Sequence, residues 1–452
     1  MDTIRNMSTR ASKGLIVAGS GMGALFLGAL LWLAVHSEDL PAPDVSDLVP
    51  DTVRVPDQEN AYPYLREALA SLQWPRNQPG LEATADEWDD AVVTDLLAHN
   101  GETLAKVEQA LACPAYHPYA DEPGGSAPWP RLLLLIAQKA AYEARAGRSE
   151  VACETSCGLL RLACWLTSQP RSLPEWSAGR TALDLGLAGV ERWLHEARPR
   201  EAELAAVLAR LSQVDALDRG LVHAFKREFQ RLDGAIDECI VRRPRPALLT
   251  GDAFQPNRTR TTAAQFYRQV IQNVSRPYTQ RQLPEVPPLL MSGVHRLLLS
   301  VHPNKQGRML EALFLPDRGH LDGCFVSKCR TQSDLDALRL VLACRLYEMR
   351  QGRLPQTLEA LVPDLLPKVP PDPFDGAPFR YVPADAVVYS VGEDLKDSWT
   401  SAAHPSSPPT IQPAAESAEP SGWPEYLTPR RSLIRTGYEA GDLVYHIHAR
   451  PE

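Results

Sequence analysis

The sequence predicts a mainly α-helical protein: one transmembrane helix, an irregular stack of helical hairpins, and a small α+β module at the C-terminal end. Three observations carry this reading. Gly14–Val35 is a run of 22 residues without a charge, and about 20 apolar residues suffice to cross the hydrocarbon core of a bilayer. From about Asp57 to residue 315 apolar residues recur at spacings of three and four, the period of a helix with one buried face. Beyond residue 370 the pattern shortens to alternation, as at Phe379/Tyr381 and Val387/Tyr389, which is the period of a strand.

The charges that flank the apolar run give it a direction. Arg5, Arg10 and Lys13 precede it, whereas Glu38, Asp39, Asp44 and Asp47 follow. The excess of basic residues on the cytoplasmic side of membrane helices places the tail 1–13 in the cytoplasm and the body on the periplasmic or extracellular side. Trp32 stands near the far interface, where its amphipathic ring is favoured. A cleaved signal peptide ending near Val35-His36-Ser37 is the rival reading; its apolar region would exceed the usual length of about 7–15 residues. Gly19-Ser20-Gly21-Met22-Gly23-Ala24 fits a dinucleotide-binding turn, but the polar, proline-rich HSEDLPAPDVSDLVP stands where the second strand is required. Gly19, Gly23, Ala24 and Gly28 instead have the small-residue spacing that lets two membrane helices approach.

Residues 36–56, rich in Pro and Asp, read as a stalk, and 57–330 as an α-helical ectodomain. Helical segments are expected at about 57–74, 84–112, 129–147, 149–168, 174–197, 199–216, 218–241, 263–281 and 305–315. Short joins such as Ala146-Gly147-Arg148 favour antiparallel neighbours. The basic stretch 242–262 reads as a loop, and no landmark recurs at the 34-residue interval of a tetratricopeptide array. A net charge of −9 gives no basic field for nucleic acid. Cys153, Cys157 and Cys164 share one helical face as a small apolar stripe, and Cys324 with Cys329 is the expected disulfide.

The module, 331–452, opens with the amphipathic helix Thr331–Arg350. Gln351-Gly352-Arg353-Leu354-Pro355 follows, then Leu365-Leu366-Pro367-Lys368-Val369-Pro370, the turn Asp372-Pro373-Phe374-Asp375-Gly376, and Val387-Val388-Tyr389-Ser390-Val391-Gly392-Glu393-Asp394. In Asp375-Gly376 the glycine reads as a position of positive φ. Residues 400–437, rich in Ser, Pro and Ala, read as a flexible insertion, after which Leu443–Ile447 returns as a last strand. Over about 331–397 this order resembles the globular domain of the major pseudopilins of type II secretion. The whole chain is also similar to a group of uncharacterised membrane-anchored bacterial proteins with a helical ectodomain, through Gln169-Pro170-Arg171-Ser172-Leu173 and Gly441-Asp442-Leu443-Val444-Tyr445. Two departures weigh against a pilus subunit. About 300 residues separate the membrane run from the long helix, and no acidic residue follows Gly14 as prepilin processing requires. The resemblance implies a calcium site at Ser390, Asp394 and Asp397, with Leu395 where a glycine would ease the backbone around the ion.

No GxSxG elbow, HExxH helix, P-loop or EF-hand loop occurs. His446 and His448 are too few for a metal site; Glu87, Asp89 and Asp90, and Asp233 with Asp237, read as solvated helix faces, and Arg227, Glu228 and Arg231 as ion-pairing groups. The expectation is a non-enzymatic, single-pass membrane protein whose helical body is an interaction scaffold for a protein partner. An accessory component of a type II secretion-like system, and a hydrolase with a site assembled from distant residues, are the alternatives.

Overall fold

The computed structural model describes residues 38–51, 55–74, 90–119, 129–197, 199–215, 217–242, 254–284, 302, 304–397, 435–439 and 442–448. The apolar run 14–35, its glycine face and Glu87 with Asp89 lie outside them. Among the described residues no helix is long and apolar enough to cross a membrane. The described chain is mainly helical with one small sheet: α1 Tyr62–Ser71, α2 Asp90–His99, α3 Gly101–Ala112, α4 Trp129–Arg145, α5 Ser149–Ser168, α6 Leu173–Glu196, α7 Glu201–Ser212, α8 Leu217–Arg242, α9 Pro256–Gln272, α10 Lys305–Phe314 and α11 Arg318–Gln351. Strands β1 Arg380–Val382, β2 Val387–Ser390, β3 Arg435–Glu439 and β4 Asp442–His446 form an antiparallel sheet in the order β1-β2-β4-β3.

The chain divides into two compact units. One comprises 1–49, 229–268 and 285–315; the other comprises 50–228, 269–284 and 316–452. Helix α8 passes from the second unit to the first at Phe229, and α9 returns at Gln269. The expected division between 57–330 and 331–452 falls inside α11, a single helix that begins at Arg318 because Asp317 caps it, accepting from His320 N at 2.7 Å. Gly352 at φ +71° ends it in the left-handed cap that favours glycine.

In the second unit α5 and α6 form an antiparallel hairpin whose separation is set by glycine. A β-carbon on Gly179 would meet Leu166 and Thr167 at 2.7–2.9 Å, and one on Gly186 would meet Leu160 at 2.7 Å. Ser172 caps α6 by accepting from Glu175 N at 3.3 Å, and Glu228 of α8 accepts from Leu173 N at 3.1 Å. The segment expected at 84–112 is two helices, broken where Asn100 donates to Gln73 O at 2.8 Å and accepts from Gln73 N at 2.8 Å. Helix α11 carries the sheet. Tyr445 of β4 donates to Asp334 at 2.7 Å, and Arg345 reaches both Ile447 O at 2.6 Å and Leu194 O at 3.0 Å. All four residues of β2 are buried, since neighbours cover both its faces, so the alternation expected there gives way to an apolar strand closed by Ser390.

In the first unit the described part of the expected stalk, 38–49, is laid along α9. The Asp39 carboxylate accepts from Asn257 N at 2.8 Å and Arg258 N at 2.9 Å, and Arg268 pairs with Asp47 at 2.6 Å. Helix α9 therefore starts seven residues earlier than its apolar period, inside the stretch expected to be a loop. Asp233 and Asp237 of α8 are not merely solvated: both pair with Arg260.

One sequence expectation is corrected: Cys324 and Cys329 lie five residues apart within one helix, where side chains diverge by about 140°, and the disulfide expected between them does not form. Strand β3 begins at Arg435, which pairs with Tyr445 of β4.

Candidate functional site

Among the described residues of the C-terminal module a dense polar cluster is centred on Asp372, which no catalytic or metal motif of the sequence contains. The turn that holds it closes through Gly376 N donating to Asp372 O at 2.8 Å, with Gly376 at φ +82° as expected. The Asp372 side chain is fully buried. One oxygen accepts from Phe374 N at 3.0 Å and Ser390 Oγ at 2.8 Å; the other accepts from Val391 N at 3.0 Å and Arg380 Nη1 at 2.9 Å. Burial pushes its pKa up, and the N–H and O–H donors pull back without cancelling that. Asp375 is partly buried too, but the Arg380 guanidinium and Ala377 N outweigh burial and hold its carboxyl below the usual range. One carboxylate thus fastens the turn, β1 and the end of β2. The sequence displayed the turn plainly; the donating Ser390 lies 18 residues on.

The three residues singled out for calcium have separate partners. Ser390 faces inward to Asp372 and accepts from Gly392 N at 3.2 Å. Asp394 is exposed and accepts from Lys396 N at 3.1 Å, while Asp397 accepts from Tyr389 OH at 3.2 Å. The six to eight oxygens that calcium gathers are not assembled by these side chains. Among the described residues no group of three or more His, Cys, Asp and Glu side chains could hold a metal ion. Leu395 takes φ +60° despite its side chain, and Glu393 pairs with Arg330, tying the loop to α11. His448 lies 3.3 Å from Glu348.

A second polar network lies in the helical part of the same unit. Arg171 reaches Glu175 at 3.0 Å and donates to Tyr62 OH at 2.8 Å, its guanidinium over the Tyr62 ring at 5.2 Å. Tyr116 donates to Glu175 at 3.2 Å, and burial raises its pKa well above the ordinary tyrosine value. Burial would lower the pKa of Arg171, but pairing with Glu175 raises it instead. Asn60 accepts from His117 N and Tyr62 N, at 2.8 and 3.0 Å, and donates to His117 O. These bonds draw the α1 entrance, the 113–119 connection and the α5–α6 corner together. The run Gln169-Pro170-Arg171-Ser172-Leu173 is that corner, and its polar side chains are engaged in holding it.

The cysteine stripe is partly what the sequence suggests and partly not. Cys153 and Cys157 are buried on α5, but Cys153 and Arg210 of α7 draw the Cys157 thiol down to about 7, while the Cys153 thiol moves up. An open cleft of about 640 Å³ between α2 and α4 is lined by Asp90, Thr94, Asp95, Tyr142 and Arg145, and Asp90 and Arg145 close on each other at 3.0 Å. Comparison of the chain with protein-family models, with curated proteins and with solved structures finds no match.

Proposed function

We propose that the protein is a single-pass, membrane-anchored scaffold of the cell envelope, held by Gly14–Val35, with its helical body on the non-cytoplasmic side for a protein partner. The observation that carries this reading is the placement of Asp39. Only three residues separate it from the apolar run, and its carboxylate is spent on the α9 N-terminus. A unit fastened so close to its anchor holds a set orientation to the bilayer, as a scaffold requires. The buried groups of catalytic type support the same reading, since Glu175, Arg171 and Asp372 are all taken up by bonds that hold the fold. Topology reporters test it. A reporter active only outside the cytoplasm is expected to work when fused after residue 56 and to be silent before Gly14. Activity of a cytoplasmic reporter after residue 56 overturns the proposal.

The order of α11, the Gly352 cap, the Asp372 turn and the β1–β2 pair favours a second reading, in which the module docks on pseudopilins of a secretion machine. Affinity purification from native membranes separates the two, with pseudopilins recovered only under the second.

A further inference from the structure

We infer that one end of the first unit, formed by the C-terminus of α8 and the N-termini of α9 and α10, rests in the headgroup layer of a phospholipid bilayer. The inference rests on the membrane anchor proposed above.

The helix directions bring these termini together. Phe229 of α8 packs edge-on against Tyr267 of α9 at 6.1 Å, and Asp233 and Asp237 both pair with Arg260. As α8 advances α9 therefore recedes, and Ile240 and Val241 lie at the end where α9 begins. Helix α10 begins at the same end. Asn304, which precedes it, accepts from Gln255 N at 2.8 Å and donates to Thr259 at 2.9 Å. The chain from the anchor arrives there too. Gln255 donates to Glu38 O at 3.0 Å, Asn257 donates to Leu40 O at 2.8 Å, and Asp39 caps α9. From Val35 to Asp39 a fully extended chain spans at most about 14 Å, so this end cannot stand far from the bilayer.

Its surface suits that place. Val241 is 78% exposed, Met309 56%, and Leu40 and Ile240 38% each. Apolar side chains grouped in water mark a contact surface. Basic groups flank them: Arg258 and Lys305 stand at the starts of α9 and α10. Burial lowers the His302 pKa, and the positive charges of Arg308 and Arg258 lower it further. Apolar side chains beside Arg258 and Lys305 match the boundary between acyl chains and anionic headgroups.

The test uses the full-length chain in the membranes of cells that express it, with a photoreactive benzoylphenylalanine in place of Val241. A second protein carries it in place of Val151, an exposed position in the other unit. After carbonate washing and irradiation, the expected result is membrane-retained protein with a phospholipid adduct at 241, several-fold above that at 151. Membrane-retained protein with no lipid adduct at 241, or only a protein adduct, overturns the contact while leaving the anchor standing. Release of the protein by carbonate overturns the anchor and the contact together.

Discussion

The Asp39 carboxylate caps α9 from 218 residues away, meeting Asn257 N at 2.8 Å and Arg258 N at 2.9 Å. A helix start leaves N–H groups without intrahelical partners and carries partial positive charge, so a carboxylate there satisfies both needs. The residue that α9 itself supplies just before its start, Gln255, is occupied with Asn304 and Glu38 instead.

Replacement of Asp39 by Ala is expected to cost about 1 kcal/mol, toward ~2 if no water substitutes. Amide hydrogen exchange at 257–259 should accelerate, while exchange in α5 and α6 stays unchanged. Asp39→Asn keeps an acceptor and should recover much of the protection. Equal exchange in Asp39→Ala and the parent protein would show that the cap does not hold α9.

The glycines of the helical body divide into two kinds, and a pair of alanine substitutions tells them apart. Gly179→Ala places its β-carbon 2.8 Å from the backbone nitrogen of Thr167, which cannot turn aside. Overpacking of this sort costs about 1–3 kcal/mol. Gly234 on α8 has nothing within 4 Å of a β-carbon. There alanine should stabilise by roughly 0.5–1 kcal/mol, because glycine loses more backbone freedom on folding. Thermal unfolding of both variants measures the two signs, and a shared sign would contradict the close approach of α5 and α6.

The same contrast explains how much was legible beforehand. Helices α4 to α8 lie within a few residues of where apolar spacing puts them, because each buries a continuous stripe and local signals end it. The start of α9 was hidden, since its cap is Asp39 and its local signal, Pro256 at the first helical position, is followed by polar and basic residues with no apolar period. The first turns of α11 carry Gly319 and Gly323, which weaken a helical pattern that Asp317 nonetheless initiates. Strand β3 follows a Ser- and Pro-rich run and pairs only with β4, so its register exists only in the folded sheet. Asp372 was visible as a turn residue, but its bonds to Arg380, Ser390 and Val391 are tertiary.

His223 on α8 provides a pH test. Burial, with Arg227 and Lys226 nearby, lowers its pKa to about 4, against 6.5 when unhindered; Asp51 opposes this only weakly. A histidine with a lowered folded pKa stabilises the fold above its unfolded pKa. That stability is lost as pH falls from 6.5 toward 4, because the unfolded chain takes the proton first. Melting temperature should therefore decline through this window, and His223→Gln should flatten the decline. An identical slope in both proteins would remove His223 from the account.

Gly376 combines two demands, a φ of +82° and a β-carbon position 2.8 Å from Pro277 Cγ. The left-handed conformation alone costs a branched residue about 1–2 kcal/mol. Gly376→Val should cost more than that in the intact chain, because Pro277 must also move. The neighbouring Tyr278 N to Pro373 O bond, 3.0 Å, should exchange faster in the variant. A variant with the parent's melting temperature would show that the turn is built differently.

The final prediction concerns calcium at Ser390, Asp394 and Asp397. A bound ion would stabilise the fold by mass action, by about 2.7 kcal/mol at a hundredfold excess over Kd. Ser390 faces Asp372, Asp394 holds Lys396 N, and Asp397 accepts from Tyr389, so an ion would have to displace bonds already made. Unfolding curves of the full-length chain with millimolar calcium and with chelator should therefore coincide. Leu395 at φ +60° gives an independent handle on the same loop. Leu395→Gly removes the left-handed penalty of about 1–2 kcal/mol, less the roughly 0.4–1 kcal/mol by which glycine favours the unfolded chain. The net expectation is a small rise in melting temperature without calcium. A rise that appears only with calcium, and disappears in Asp394→Ala, would mean that the loop rearranges around the ion and that the bonds described for Ser390, Asp394 and Asp397 belong to its calcium-free form.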